Sequence, residues 1–183
     1  MHTGWGVRTL SALNPAYNPL SYQSGSLWPH DTALIAAGLW RYGLRDQAGT
    51  LLHGLLEAAQ AFDGGRLPEL FCGLDRSLGA PVPYADANVP QSWASAVPLL
   101  AVQTFLGLVP DAPRSRFFLD PWLPEWLPRL EVRDVPIAGQ RVALTVVRQG
   151  GKAVIERVEA GGLEVVHGTI EAPLWGLPPG WDD

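Results

Sequence analysis

Four acidic residues lie in stretches punctuated by Gly and Pro, where functional groups tend to sit: Asp31, Glu69, Asp75 and Asp86. Hydrolysis of a glycoside by the common routes needs two carboxyl groups across the scissile bond, one acid and one base or nucleophile. Glu69 ranks first. It stands between Pro68 and Leu70-Phe71, an apolar setting in which desolvation is expected to raise its pKa toward that of a competent general base. Its plainer role is a surface or capping carboxylate. Trp28-Pro29-His30-Asp31 presents an aromatic face, an imidazole and a carboxylate at an expected helix start, a combination that stacks sugar carbons and hydrogen-bonds hydroxyls. Asp31 alone reads equally well as an N-cap. Ala87-Asn88-Val89-Pro90-Gln91-Ser92-Trp93 repeats the arrangement with an amide and an indole, and the same residues also read as capping by Asn88 or Ser92 with Trp93 in the core.

Other chemistries fit less well. The four histidines, His2, His30, His53 and His167, and the one cysteine, Cys72, show no metal-ligand spacing. No glycine-rich phosphate loop or dinucleotide fingerprint occurs, so no metal and no cofactor is expected. Cys72 reads as a small buried residue, since no histidine is placed to activate it. The net charge is -5 and Lys152 is the one lysine, which gives no electrostatic reason to bind nucleic acid or an anionic membrane. A single cysteine and an amino terminus without a basic segment followed by an apolar run lead us to expect a cytoplasmic protein.

The elements that must position these residues follow from apolar spacing. Leu34, Ile35, Gly38, Leu39 and Tyr42 form a helical stripe ending at Gly43, with Asp31 or Thr32 as cap. Leu51, Leu52, Leu55, Leu56, Ala59 and Phe62 mark a second helix over Asp46 to Phe62. A third, from about Gln91 to Leu106, is apolar nearly all round, implying burial on several sides, with a kink at Pro98. Residues 1–29 and 63–90 are long loops, and long loops in compact domains tend to be functional. Past residue 110 the pattern becomes β-branched alternation. Strands are expected at Leu130 to Val132, Arg141 to Val147, Ala153 to Val158 and Gly162 to Val166, with glycine turns at Gly150-Gly151 and Gly161-Gly162. Three helices with one small sheet cannot enclose a core this apolar. The expected fold class is therefore mainly α: a slice of a helical toroid, with helical hairpins and long rim loops over residues 1–110, then a Pro-rich connection and a small antiparallel β-sheet over 111–183.

Gly4-Trp5-Gly6-Val7-Arg8-Thr9-Leu10-Ser11, Tyr17-Asn18-Pro19-Leu20-Ser21-Tyr22-Gln23-Ser24-Gly25-Ser26-Leu27-Trp28-Pro29-His30-Asp31 and Arg66-Leu67-Pro68-Glu69-Leu70-Phe71-Cys72-Gly73 resemble, in order, the last part of bacterial glycogen-debranching-type amylo-α-1,6-glucosidases. The resemblance continues through Pro81 to Leu106 and covers most of the chain. It implies an incomplete (α/α)6 barrel and inverting cleavage of α-1,6-glucosidic branch linkages, with Glu69 as general base. Trp28, His30, Asp31, Gln91 and Trp93 would line the sugar pocket, with Tyr22 and Gln23 near it; Gln23 stands where relatives commonly have histidine. In those relatives the general acid is an aspartate in an upstream Trp-x-Asp-Ala motif, and nothing like it occurs here. The expectation is a carboxyl-terminal piece, inactive alone, that binds α-glucan oligosaccharides. A separate polypeptide is expected to supply the rest of the barrel, with self-association in its absence; the alternative is a non-catalytic carbohydrate-binding remnant.

Overall fold

The computed structural model describes residues 1–168, so Trp175, Trp181 and the end of the expected 111–183 part lie outside the described residues. The chain divides into two compact units, Met1–Ala101 and a second beginning at Val102. In the first, helix α1 spans Pro29–Arg41 and α2 spans Arg45–Ala59. Pro29 occupies the first turn of α1, where its missing N–H is not needed. The helix ends as a Schellman turn, with Leu44 N–H donating to Leu39 C=O at 2.9 Å and Gly43 at φ 81°. Trp28 is the N-cap and makes no side-chain capping bond, so neither Asp31 nor Thr32 caps the helix. The Thr32 hydroxyl is buried and instead accepts from Val7 N–H at 3.1 Å.

The buried face of α1 is Pro29, Thr32, Ala33, Ala36 and Trp40. It is the reverse of the expected stripe: Leu34 is 50% exposed, Ile35 42% and Tyr42 86%. Small residues let α1 lie close to α2, which buries Leu51, Leu52, Leu55, Ala58 and Ala59. Larger side chains on the other face of α1 are left at the surface. The expected third helix is two pieces, α3 (Ser92–Ser95) and α4 (Val97–Leu106), broken at Ala96 rather than kinked at Pro98. Pro98 falls in the first turn of α4, where it breaks no hydrogen bond. Burial on several sides does not hold either, since Leu99 is 73% exposed and Trp93 62%.

The long loops are ordered by each other. Leu27 and Phe71, both fully buried, exchange N–H···O=C bonds of 2.9 and 3.0 Å. Further single bridges join Arg8 to Leu27 and Phe71 to Pro83. Gly73 explains the closeness of this clasp, because a Cβ there would lie 1.7 Å from the Gly25 carbonyl oxygen. The buried Arg8 Nε and the Tyr17 hydroxyl both donate to Gly73 C=O, at 2.8 and 3.1 Å.

The second unit holds two three-stranded sheets. Strands β3 (Arg129–Ile137), β4 (Gln140–Gln149) and β5 (Lys152–Glu159) form an antiparallel meander, with Val142, Leu144 and Val146 of the central strand buried. Its turns are two-residue loops with positive φ, Ala138-Gly139 and Gly150-Gly151, which match the twist of the flanking strands. The other sheet has the order β1-β2-β6, from Val109–Asp111, Arg116–Leu119 and Glu164–His167. The last strand leaves the meander and pairs in parallel with β2, so the single antiparallel sheet is corrected to two sheets, one of them mixed.

The expectation of a mainly α chain, an incomplete (α/α)6 toroid slice, is overturned as well. Helical residues scarcely outnumber strand residues, and the described residues form a small α+β fold. The physical reason is that β1 and β2 are too short to show alternation, and β1 contains Pro110, so the stretch reads as turns. No helix among the described residues is long and apolar enough to cross a membrane.

Candidate functional site

The clasp brings residues from both loops and from two helix starts together in the first unit. Glu69 follows the buried Leu67 and Pro68 and precedes Leu70 and Phe71, which are fully buried. Its neighbours anchor the backbone while its carboxylate reaches the surface of the loop. The Tyr22 hydroxyl donates to Glu69 Oε1 at 2.6 Å. Asn88 donates to Oε2 twice, from Nδ2 at 2.8 Å and from its backbone N–H at 3.3 Å. These are charge-assisted bonds of the strong kind.

Their electrostatic result reverses the expectation of a raised pKa. The Tyr22 hydrogen bond holds the Glu69 carboxyl below its ordinary value of 4.5; partial desolvation opposes this, and the Asn88 bonds and the charge of His30 add to the lowering. The Tyr22 phenol is pushed above its ordinary value of 10.0, first by the same hydrogen bond. The two shifts move the pair apart, so at neutral pH the proton stays on Tyr22 and Glu69 is a fixed anion.

Beside the carboxylate runs a series of rings, each meeting the next: Tyr84 to Tyr22 at 5.9 Å between centroids, Tyr22 to Trp28 at 4.9 Å, Trp28 to His30 at 5.9 Å, and His30 to Trp93 at 4.8 Å. Edge-to-face geometry dominates, as ring quadrupoles prefer. The indole of Trp28 donates to Tyr22 C=O and to Ser26 Oγ, each at 3.1 Å, while Ser26 Oγ donates to the same Tyr22 carbonyl. The loop residue whose hydroxyl grips Glu69 is thereby tied to the start of α1. A pocket of about 340 Å³ is lined by Thr9, Gln23, Trp28, His30, Asp31 and Trp93, within the size range of small-molecule sites.

Of the residues expected in a sugar pocket, Trp28, His30, Asp31, Gln23 and Trp93 share this pocket, and Tyr22 joins Glu69. Asp31 lies 3.2 Å from His30 Nε2, while the buried His30 Nδ1 has no hydrogen-bond partner. Gln91 is differently used. Its side-chain oxygen accepts from Ala94 N–H at 2.9 Å and caps α3. Capping thus falls to Gln91, not to Asn88 or Ser92, and Trp93 stands at the surface rather than in the core.

Asn88 and Tyr84 were not among the expected site residues. Their partners lie 19 and 62 positions away, and the cue that was legible is an amide and a phenol in the loop before an expected helix start. Cys72 is buried, with its thiol pushed up by desolvation, and Asp75 caps the short turn Arg76–Leu78 through Ser77. Among the described residues no group of three or more His, Cys, Asp or Glu is placed to hold a metal ion.

The chain matches no known family model, and no curated protein matches it significantly.

Proposed function

We propose that the first unit carries the base side of an inverting glycoside hydrolase site for α-1,6-glucosidic branch linkages of glycogen-like α-glucans. The observation that carries this reading is one ionised carboxylate, Glu69, gripped by Tyr22 and Asn88 beside an uninterrupted series of rings from Tyr84 to Trp93. Rings bind the carbon faces of a sugar, and the polar edges of Gln23, His30 and Asp31 meet its hydroxyls. Glu69 accepts a proton from a water that attacks the anomeric carbon, on the side opposite the departing oxygen.

That departing oxygen needs a proton of its own, from a second carboxyl about 6.5–9.5 Å from the first. Asp31 is engaged with His30, and the Trp-x-Asp-Ala motif that carries the acid in similar enzymes is not in this sequence. Without the acid, a contribution of about 10²–10⁴ is lost, so these residues alone give no useful turnover and the acid comes from outside them, as from a separate polypeptide. The surface of α1 favours a partner: Leu34 and Ile35 are half exposed, and an open, mostly apolar groove lined by Ala33, Leu34, Ala96, Val97 and Leu100 continues to His30 and Trp93, which also line the sugar pocket. Exposed apolar patches beyond a few hundred Å² are rare on monomers. Without the partner the chain self-associates, and a sharp monomer peak in size exclusion would count against it.

A second reading, a non-catalytic carbohydrate-binding module, is favoured by the 62% exposure of Trp93, which suits a surface platform. Glucose release from α-1,6-branched oligosaccharides and calorimetric binding separate the two. The purified chain should bind and not hydrolyse. Restoring the partner should restore hydrolysis, and Glu69→Gln should then abolish it while binding persists; unchanged hydrolysis removes Glu69 from the base role. Glucosidase-like turnover by the chain alone would overturn the half-site.

A further inference from the structure

We propose that Asn88 is a positioning residue for Glu69, and that Asn88 and Tyr22 together leave the carboxylate one open acceptor position, on Oε1, which takes a sugar hydroxyl or the attacking water. The proposal rests on the carbohydrate reading above and names the atom of the site that meets the ligand.

An ionised carboxylate offers about four lone-pair positions. Three are filled here. Oε2 receives both Asn88 donors, from Nδ2 at 2.8 Å and the backbone N–H at 3.3 Å, and Oε1 receives the Tyr22 hydroxyl at 2.6 Å. The donors sit on different loops and grip different oxygens, so the carboxylate is fixed in rotation as well as in place. Asn88 is held in return, because Glu69 N–H donates to Asn88 C=O at 3.0 Å. Glu69 and Asn88 thus orient each other, and Tyr22 fixes the second oxygen. Fixing a reacting group in this way is what converts a chance encounter into a near-attack geometry. A single open acceptor also selects its ligand, since a hydroxyl or water can donate to it and an anion cannot.

The groups that face Glu69 are Tyr22 from the first loop, Asn88 from the second and His30 from α1, with Tyr84 beyond Tyr22 and Asp31 against His30. Tyr22, Asn88 and His30 each favour the charged carboxylate. The open oxygen therefore remains a charged acceptor down to the depressed pKa of Glu69, and its hydrogen bond to a hydroxyl weakens below it.

The test is an NMR titration of the full chain carrying ¹³C-labelled glutamate, for the wild type, Asn88→Ala, Asn88→Asp and Tyr22→Phe, with an α-1,6-linked glucose trisaccharide as the probe. Asn88 is exposed, so its substitution leaves the fold intact, as an unchanged amide spectrum away from the loop will show. Glu69 should titrate higher in Asn88→Ala than in the wild type, and higher again in Asn88→Asp, where a donor becomes a second carboxylate. Tyr22→Phe should shift it in the same direction. Trisaccharide affinity should fall about tenfold in Asn88→Ala, the loss of one charge-assisted bond, and its acid limit should move up with the titration. A purely structural role for Asn88 leaves the Glu69 titration where it is, and that result overturns the positioning whatever the saccharide does. Shifted titrations without saccharide binding by any form remove the carbohydrate reading and the ligand half of the proposal, while Asn88 as the grip on Glu69 stands.

Discussion

The two-loop clasp of the first unit and the meander β3-β4-β5 of the second hold their side chains by opposite means. In the meander, position is repeated: a bond or a buried side chain recurs every second residue along three strands, so any one contact has neighbours that do the same thing. In the clasp each contact occurs once. Leu27 with Phe71, Arg8 with Gly73, and Asn88 with Glu69 have no second copy among the described residues. Irregular backbone can aim several unlike side chains at one point, which a sheet cannot, and it is correspondingly intolerant of change.

One glycine from each region sets the largest expected contrast. In Gly73→Ala the new Cβ meets the Gly25 carbonyl oxygen at 1.7 Å, a backbone atom with nowhere to go. The loops must part, and the Leu27–Phe71 pair and the Arg8 bond part with them, at a cost of about 3 kcal/mol or more. Gly150→Ala, in the β4–β5 turn, meets nothing within 4 Å and bears only the strain of φ 56°, about 1 kcal/mol. Urea unfolding of both variants checks this, and equal losses would mean that the clasp yields as readily as a turn.

Regularity also decided how much could be read from sequence. The strands of the meander and the helices α1 and α2 show their periods, and Gly43 and Gly150-Gly151 mark where they end. Which face of α1 is buried did not follow. Leu34 and Ile35 are the more apolar choice, yet close approach to α2 selects Ala33 and Ala36. The mixed sheet was hidden because the parallel pairing of Glu164–His167 with Arg116–Leu119 joins segments some fifty residues apart; a strand is expected at Gly162 to Val166, but Arg116–Leu119 is too short to announce itself, so the pairing had no visible partner. At the site, Glu69 stands out by its apolar neighbours, but those same neighbours suggested the wrong direction for its pKa. Desolvation was local and visible; the donors that outweigh it, Tyr22 and Asn88, come from 47 and 19 residues away.

A smaller effect belongs to the other sheet, where one contact is as singular as those of the clasp. Asp111 accepts from Arg116 Nε at 2.8 Å and from Arg114 at 3.1 Å, and the Arg116 bond, then Arg114, holds its carboxyl below the ordinary 3.8 against partial desolvation. A carboxyl depressed by folding stabilises the native state in full above its unfolded pKa and loses that contribution as pH falls through the folded value. Asp111→Asn should therefore lower the melting temperature at pH 7, and the gap from wild type should close below pH 3.8. A gap that is constant with pH would mean that the side chain's shape, not its charge, is what β1 and β2 require.

The smallest effect is expected on the exposed face of the meander. Arg157 pairs with Glu159, Arg129 with Glu156 at 2.6 Å, and Arg133 with Glu131 at 2.5 Å, with Arg157 and Glu159 both more than half exposed. Water competes for such groups, long side chains lose entropy when held, and measured exposed pairs contribute about 0.2–1 kcal/mol. Arg157→Ala removes a charge, and the cross-strand Thr145 stays in the ladder through backbone bonds that remain. The loss should stay under about 0.5 kcal/mol, and 1 M salt should shrink it further, because the Debye length falls to about 3 Å. A loss as large as that of Gly73→Ala, insensitive to salt, would show that these ions act as a connected network, and the meander would then owe its tolerance to its charges rather than to the repetition of its backbone.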